Sequence, residues 1–211
     1  MSLRKHALTI IAAFIAAVAG NALLTSLLKG AAGLWATTAL LLVLTILAWQ
    51  RERHLVIANA IETPGVSGRQ EQVLWGMIGI AIVLACELLG AFIEVRLFHQ
   101  VQTSQTVSQT MAAMMTAPGY AVAVVICWPI LQELTFRKVV FGDLAETTGV
   151  FGAALISSLL FALSVDPAHW FTQTLVGLAL AYLYRHTGSL ATPLIANIGT
   201  TALTLLYAFS R

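Results

Sequence analysis

The chain predicts an all-α fold, a polytopic transmembrane bundle of about seven helices. Three observations point there. Of 211 residues, 59% are hydrophobic and only 9% charged, with a mean hydropathy of +0.87, whereas soluble domains carry roughly 25% charged residues. Apolar runs recur at close to spanning length, and Lys and Arg gather in alternate connections between them. Lipid is therefore the main solvent. In lipid every backbone N–H and C=O must be paired internally, which helices achieve and open sheets do not.

A spanning helix needs about 20 mainly apolar residues. By that measure the segments are Ala7–Leu28, Ala31–Trp49, Val73–Val95, Met111–Leu131, Val150–Val165, Trp170–Tyr184 and Leu190–Phe209. They read as one transmembrane domain over residues 1–211. The start "MSLRKH" lacks a following cleavage site and reads as a retained signal anchor. With a cytoplasmic N-terminus, the inner side holds Arg4, Lys5, Arg51, Arg53, Arg69, Arg137, Lys138 and Arg185. The outer side holds Lys29, Arg96 and Arg211. That asymmetry follows the positive-inside rule.

The longest polar connection, Gln50 to Gln72, carries the turn signals Pro64-Gly65 and Ser67-Gly68. It is expected to include a short helix on the membrane surface. A second polar stretch, His99 to Thr110, is uncharged. Cys86 and Cys127 form no CxxC pair and read as small buried hydrophobes. Trp35, Trp49, Trp75 and Trp170 fall near predicted helix ends, as interfacial anchors do. Gly76, Gly79, Gly90, Gly152 and Gly177 are expected to permit close helix approach. No nucleic-acid module, phosphate loop or internal repeat is present in the sequence.

Ionisable residues inside membrane helices cost about 2.5–3.5 kcal/mol each on insertion scales, so each asks for a reason. Glu87 and Glu94 share one face of the third helix. Glu94 is expected to snorkel beside Arg96 while Glu87 hydrogen-bonds within the bundle; a proton relay or ligand pair is the alternative. In "LQELTFRKVVFGDL", Glu133 and Arg137 stand four apart on one helix face. They are either a structural ion pair or the remains of a reaction centre.

Three stretches, "QELTFR", "SSLLFALSVDPAHW" and "YLYRHTGSLATPLIANIGTT", decide how that pair is read. Together they resemble the CAAX-protease and bacteriocin-processing family of intramembrane metalloproteases. The family's pattern is EExxxR, then FxxxH, then HxxxN or HxxxB, and the resemblance covers roughly Trp128 to the C-terminus. It implies a family-like core at about residues 121–209, with the helices at 7–28 and 31–49 peripheral. It also implies a divalent metal, zinc, held by carboxylate and imidazole with an open position for an activated water.

The resemblance assigns motif positions residue by residue. Glu133 is the second glutamate, Arg137 the arginine and Phe161 the phenylalanine, but the first glutamate is Gln132. The two histidine positions hold Val165 and Asn197, and Thr201 stands at the asparagine position. No metal is therefore expected. Glu133 and Arg137 are expected to pair with each other, or with Gln132 and Asn197, as polar glue. If a metal were held, Asp166 and His169 are the substitute ligands beside Glu133; His169 otherwise reads as an interfacial histidine beside Trp170, and His186 as a solvated loop residue.

Three functions compete. The leading one is a pseudoenzyme on the protease scaffold that binds a membrane or cell-envelope protein or peptide, as a regulator, chaperone or immunity factor. Family members are associated with bacteriocin immunity, prenyl-protein processing and control of cell-surface enzymes. The second is an active intramembrane metalloendopeptidase with a shifted, zinc-binding ligand set. The third is a solute or proton carrier using Glu87 and Glu94.

Overall fold

The computed structural model describes residues 3–54, 58–97, 99 and 105–210. Arg211, the side chain of Arg4 and residues 100–104 of the second polar stretch lie outside them. Among the described residues there are seven helices and no strand: α1 (Leu3–Leu27), α2 (Ala31–Arg53), α3 (Arg69–Leu97), α4 (Gln105–Thr116), α5 (Tyr120–Val165), α6 (Trp170–Thr187) and α7 (Ala191–Phe209). Five of them, all but α4 and α6, contain stretches long and apolar enough to cross a membrane.

The expected span Met111–Leu131 is not one helix. Pro118 favours the first turn of a new helix, so α4 ends at Thr116 and α5 begins at Tyr120, whose N–H donates to Ala117 O. Nor does the helix stop at Leu131. It continues through Gln132 and Glu133 because those polar residues face protein, and Glu133 to Val139 are buried without a break. Arg137 and Lys138 therefore belong to a buried helix and not to an inner loop. Gly149 (φ 74°, ψ 164°) then breaks α5 into two pieces, the second starting at the expected Val150.

Contacts group the chain into two compact units, and α5 and α7 contribute to both. The first takes in Met1–Ile57, Thr103–Thr135 and Thr201–Arg211. Here α1 and α2 form an antiparallel pair, closed at one end by a 3.1 Å hydrogen bond between His6 Nε2 and Glu52 Oε2. Phe14 meets the Trp128 ring edge-on, and the Trp35 ring lies against Gly119.

The second unit takes in Ala58–Gln102 and Phe136–Thr200. Its central helix is α6, which packs on α3 and on the second piece of α5. Lipid gives helices no hydrophobic reason to associate, so close packing of small residues has to do it. A Cβ at Gly79 would stand 2.6 Å from Leu183, one at Gly90 2.7 Å from Thr172, one at Gly76 2.7 Å from Ile195, and one at Gly177 2.8 Å from Ser158. Gly152 differs from the expectation: a Cβ there would meet only Thr148, just across the Gly149 break, at ordinary distance.

The connection before α3 forms no surface helix among its described residues. Asn59 to Pro64 is a set of turns, with Asn59 Oδ1 accepting from the N–H groups of Ile61 and Glu62. Its hydrophobic content is the reason: Ile61 is buried with Phe141, Ala145, Ala153, Ala181 and Tyr184. Ser67 N–H then donates to Thr187 O, closing the strap over the C-terminal end of α6.

Candidate functional site

The motif segment lies on a wide-turned stretch of α5, Glu133–Phe141, where the backbone follows the π form. Such turns are rare and occur disproportionately at functional sites. Glu133 and Arg137 both have no solvent exposure.

The attachments of Arg137 in the second unit are specific. Its guanidinium lies 4.5 Å from the centroid of the Phe161 ring, and Nη2 donates to Gly177 O at 3.3 Å. The motif arginine and the motif phenylalanine are thus in direct contact, on the two pieces of one broken helix. Phe161 also receives the edge of Phe136, at 5.7 Å between centroids. The phenylalanine is therefore a platform for the cation and not a lipid-facing side chain.

The residues at the metal positions do not fit zinc. Zinc is held by imidazole nitrogen, thiolate or carboxylate. Val165 has no donor atom and is 37% exposed. Gln132 and Asn197 offer neutral amides and Thr201 a hydroxyl, which leaves Glu133 as the one carboxylate in the set. Among the described residues no three His, Cys, Asp or Glu side chains come together.

The substitute ligands have their own partners. Asp166 Oδ1 accepts from Ala168 N–H at 3.1 Å, capping the short turn Pro167–His169. His169 Nδ1 meets Glu94 Oε2 at 2.8 Å, and Glu94 Oε1 accepts from Thr172 N–H at 3.0 Å. Glu94 is 1% exposed, so it does not snorkel beside Arg96, whose guanidinium lies over Phe92 instead. His169 is accordingly more than an interfacial neighbour of Trp170: it ties the end of α3 to the start of α6. Glu87 is half-buried on α3. His186 is exposed as expected but lies within the last turn of α6, its ring 4.2 Å from Trp75 and stacked on Tyr182 at 5.7 Å.

A second polar cluster was not foreseen from sequence. Lys138 Nζ donates to both oxygens of Glu62, at 2.7 and 2.6 Å, and Tyr184 OH donates to Glu62 Oε1 at 2.8 Å. Asn59 Nδ2 donates to Tyr184 OH and to Lys138 O. The one usable signal was Lys138 beside Arg137, both placed in a loop by hydropathy. In the first unit, an open groove of about 280 Å³ is lined by Thr25, Leu28, Gly30, Leu34, Ala112, Ala113 and Thr116, none of them a motif residue.

Comparison with known proteins finds a family match over the part of the chain that carries these motifs. Residues 110–203 match the family described as type II CAAX prenyl endopeptidase, Rce1-like. The chain is 32% identical over 127 residues to the candidate membrane peptidase YdiL of Bacillus subtilis, covering 60% of this chain and 52% of that protein. It is 25% identical over 131 residues to the membrane-embedded CAAX protease MroQ of Staphylococcus aureus, covering 59% and 53%. The chain thus spans about half the length of the curated relatives it matches. No solved structure matches it. With an all-helical membrane fold, and the arginine and phenylalanine of the pattern in contact at its core, this chain is similar over residues 110–203 to the Rce1-like CAAX endopeptidase family.

Proposed function

We propose that this membrane protein uses the family scaffold to bind a membrane or cell-envelope protein or peptide, without metal-dependent hydrolysis. The observation that carries the reading is the donor set. Two amides, a valine and a threonine stand at the sequence positions where the family pattern, alongside Glu133, requires a carboxylate, imidazoles and an asparagine. A metal ion taken from water into a bilayer needs several anionic or imidazole donors to offset its desolvation. What the scaffold keeps is the fixed cation, Arg137 on Phe161, and the helix packing that holds it. A regulator, chaperone or immunity role is consistent with that remainder.

The test is elemental analysis of protein purified without a metal-chelating tag. Substoichiometric zinc is expected, and Gln132→Glu, Val165→His and Asn197→His combined should raise it to stoichiometric while each single change gains little. Stoichiometric zinc in the unmodified protein, abolished by Glu133→Ala, would overturn the reading. It would promote a peptidase with Glu133, Asp166 and His169 as ligands. One observation favours that second reading: Glu94 holds His169 Nδ1, as carboxylates commonly orient metal-binding histidines, leaving Nε2 for another partner.

The charge distribution supports a cytoplasmic N-terminus. With Arg137 and Lys138 removed from the loops, Lys5, Arg51, Arg53, Arg69 and Arg185 still lie on one side of the proposed topology, against Lys29 and Arg96 on the other.

A further inference from the structure

The carbonyl groups of the two residues flanking Arg137 each receive a side-chain donor from elsewhere in the fold. Ser157 Oγ donates to Phe136 O at 2.6 Å, and Asn59 Nδ2 donates to Lys138 O at 3.1 Å. Both donors are buried, Ser157 completely. A backbone carbonyl has two lone pairs, of which a helix bond uses one. In the wide-turned stretch these two carbonyls spend the second on Ser157 and Asn59.

The donors sit where they can govern Arg137. Ser157 and Phe161 are one turn apart on the same face of α5. One holds the backbone beside the arginine and the other carries its guanidinium. Asn59 is itself fixed, because its Oδ1 is occupied by the N–H groups of Ile61 and Glu62 and its Nδ2 also reaches Tyr184. A wide turn that tightens to ordinary α winding changes register by one residue, which swings a side chain through about 100°. That rotation would lift Arg137 off Phe161 and away from Gly177 O.

We infer that Ser157 and Asn59 are positioning residues for Arg137, holding the wide turn in the register that lays its guanidinium on the Phe161 ring. The inference rests on the reading of Arg137 as a site residue, but its test uses neither metal nor partner. A failed zinc experiment and a failed positioning experiment are therefore distinguishable.

The experiment is nuclear magnetic resonance of the full chain labelled with ¹⁵N-arginine in detergent micelles. The Phe161 ring current should displace the Arg137 Nε–H resonance from those of the other arginines; Arg137→Lys identifies it by its disappearance. Ser157→Ala should return that resonance to the range of the others. Ser158→Ala is the control: Ser158 is equally buried on the same helix, but its hydroxyl bonds to its own Ala154 O. It should leave the resonance displaced. Ser157→Cys keeps the volume with a weaker donor and should give a partial return, which decides the matter if the alanine variant does not fold. An unmoved resonance in Ser157→Cys and Ser157→Ala, or an equal movement in Ser158→Ala, would overturn the assignment.

Discussion

A guanidinium with no access to solvent persists only where its surroundings replace water, and the surroundings of Arg137 do so with groups of several kinds. A phenylalanine face and a backbone carbonyl are among them. Lysine is not an equivalent cation here, because it lacks the planar fork that can stack and donate at once. Arg137→Lys should lower stability by about 2 kcal/mol, the worth of a desolvated cation–π contact, read as a lower midpoint of thermal unfolding in detergent. An unchanged midpoint would show that the ring contact contributes nothing. The Lys138–Glu62 pair makes a different prediction. Removing one partner of a buried pair costs up to about 3–5 kcal/mol, and less where, as at Glu62, one partner is only partly buried, whereas replacing both is often close to neutral. Lys138→Met should therefore destabilise clearly, and Lys138→Met with Glu62→Gln should recover much of the loss. Additive losses in the double variant would refute coupling between them. At this scale the sequence was partly legible. Spacing marked Glu133 and Arg137, and the family pattern marked Phe161, but no spacing rule links Glu62 to Lys138 or Glu94 to His169. Those contacts join residues more than seventy positions apart, and only the packing of α6 creates them.

Helix boundaries were readable wherever a change of solvent coincides with a change of residue type. The second half of α5 began at the expected Val150, because Gly149 is both a breaker in sequence and a φ of 74° in structure. They were unreadable where polar residues are buried in protein, since hydropathy counts Gln132 and Glu133 as an exit from the membrane while the helix runs on. The glycines divide on the same physical ground. Gly79 is pressed by Leu183, and Gly152 meets only Thr148, just before the Gly149 break, at ordinary distance. Gly79→Ala should force α3 and α6 apart at a cost of about 1–3 kcal/mol for overpacking. Gly152→Ala should stabilise by up to about 1 kcal/mol through helix propensity. Thermal unfolding of the two variants side by side checks this, and the same sign for both would contradict the packing described.

For the whole molecule, the charge asymmetry yields a topology that labelling can test. In a background without Cys86 and Cys127, Val66→Cys lies on an exposed strap and Ser210→Cys just beyond α7. An impermeant thiol reagent applied to intact cells should modify the second and spare the first. Labelling at position 66 would reverse the assignment. The interior arrangement carries a consequence for how the chain is made. Among the described residues, α6, the central helix of the second unit, is a helix of spanning length too weakly apolar to qualify as a span, chiefly because Gln173, Arg185 and His186 interrupt its apolar run. A translocon that sorts segments one by one on hydrophobicity would release it into water. Its entry into the bilayer would depend on α3 and α5, which are synthesised before it and carry its packing partners Glu94 and Ser158. The order of the chain already supplies that company, so residues that pack the mature helices would also act earlier, as the chaperones of its own insertion.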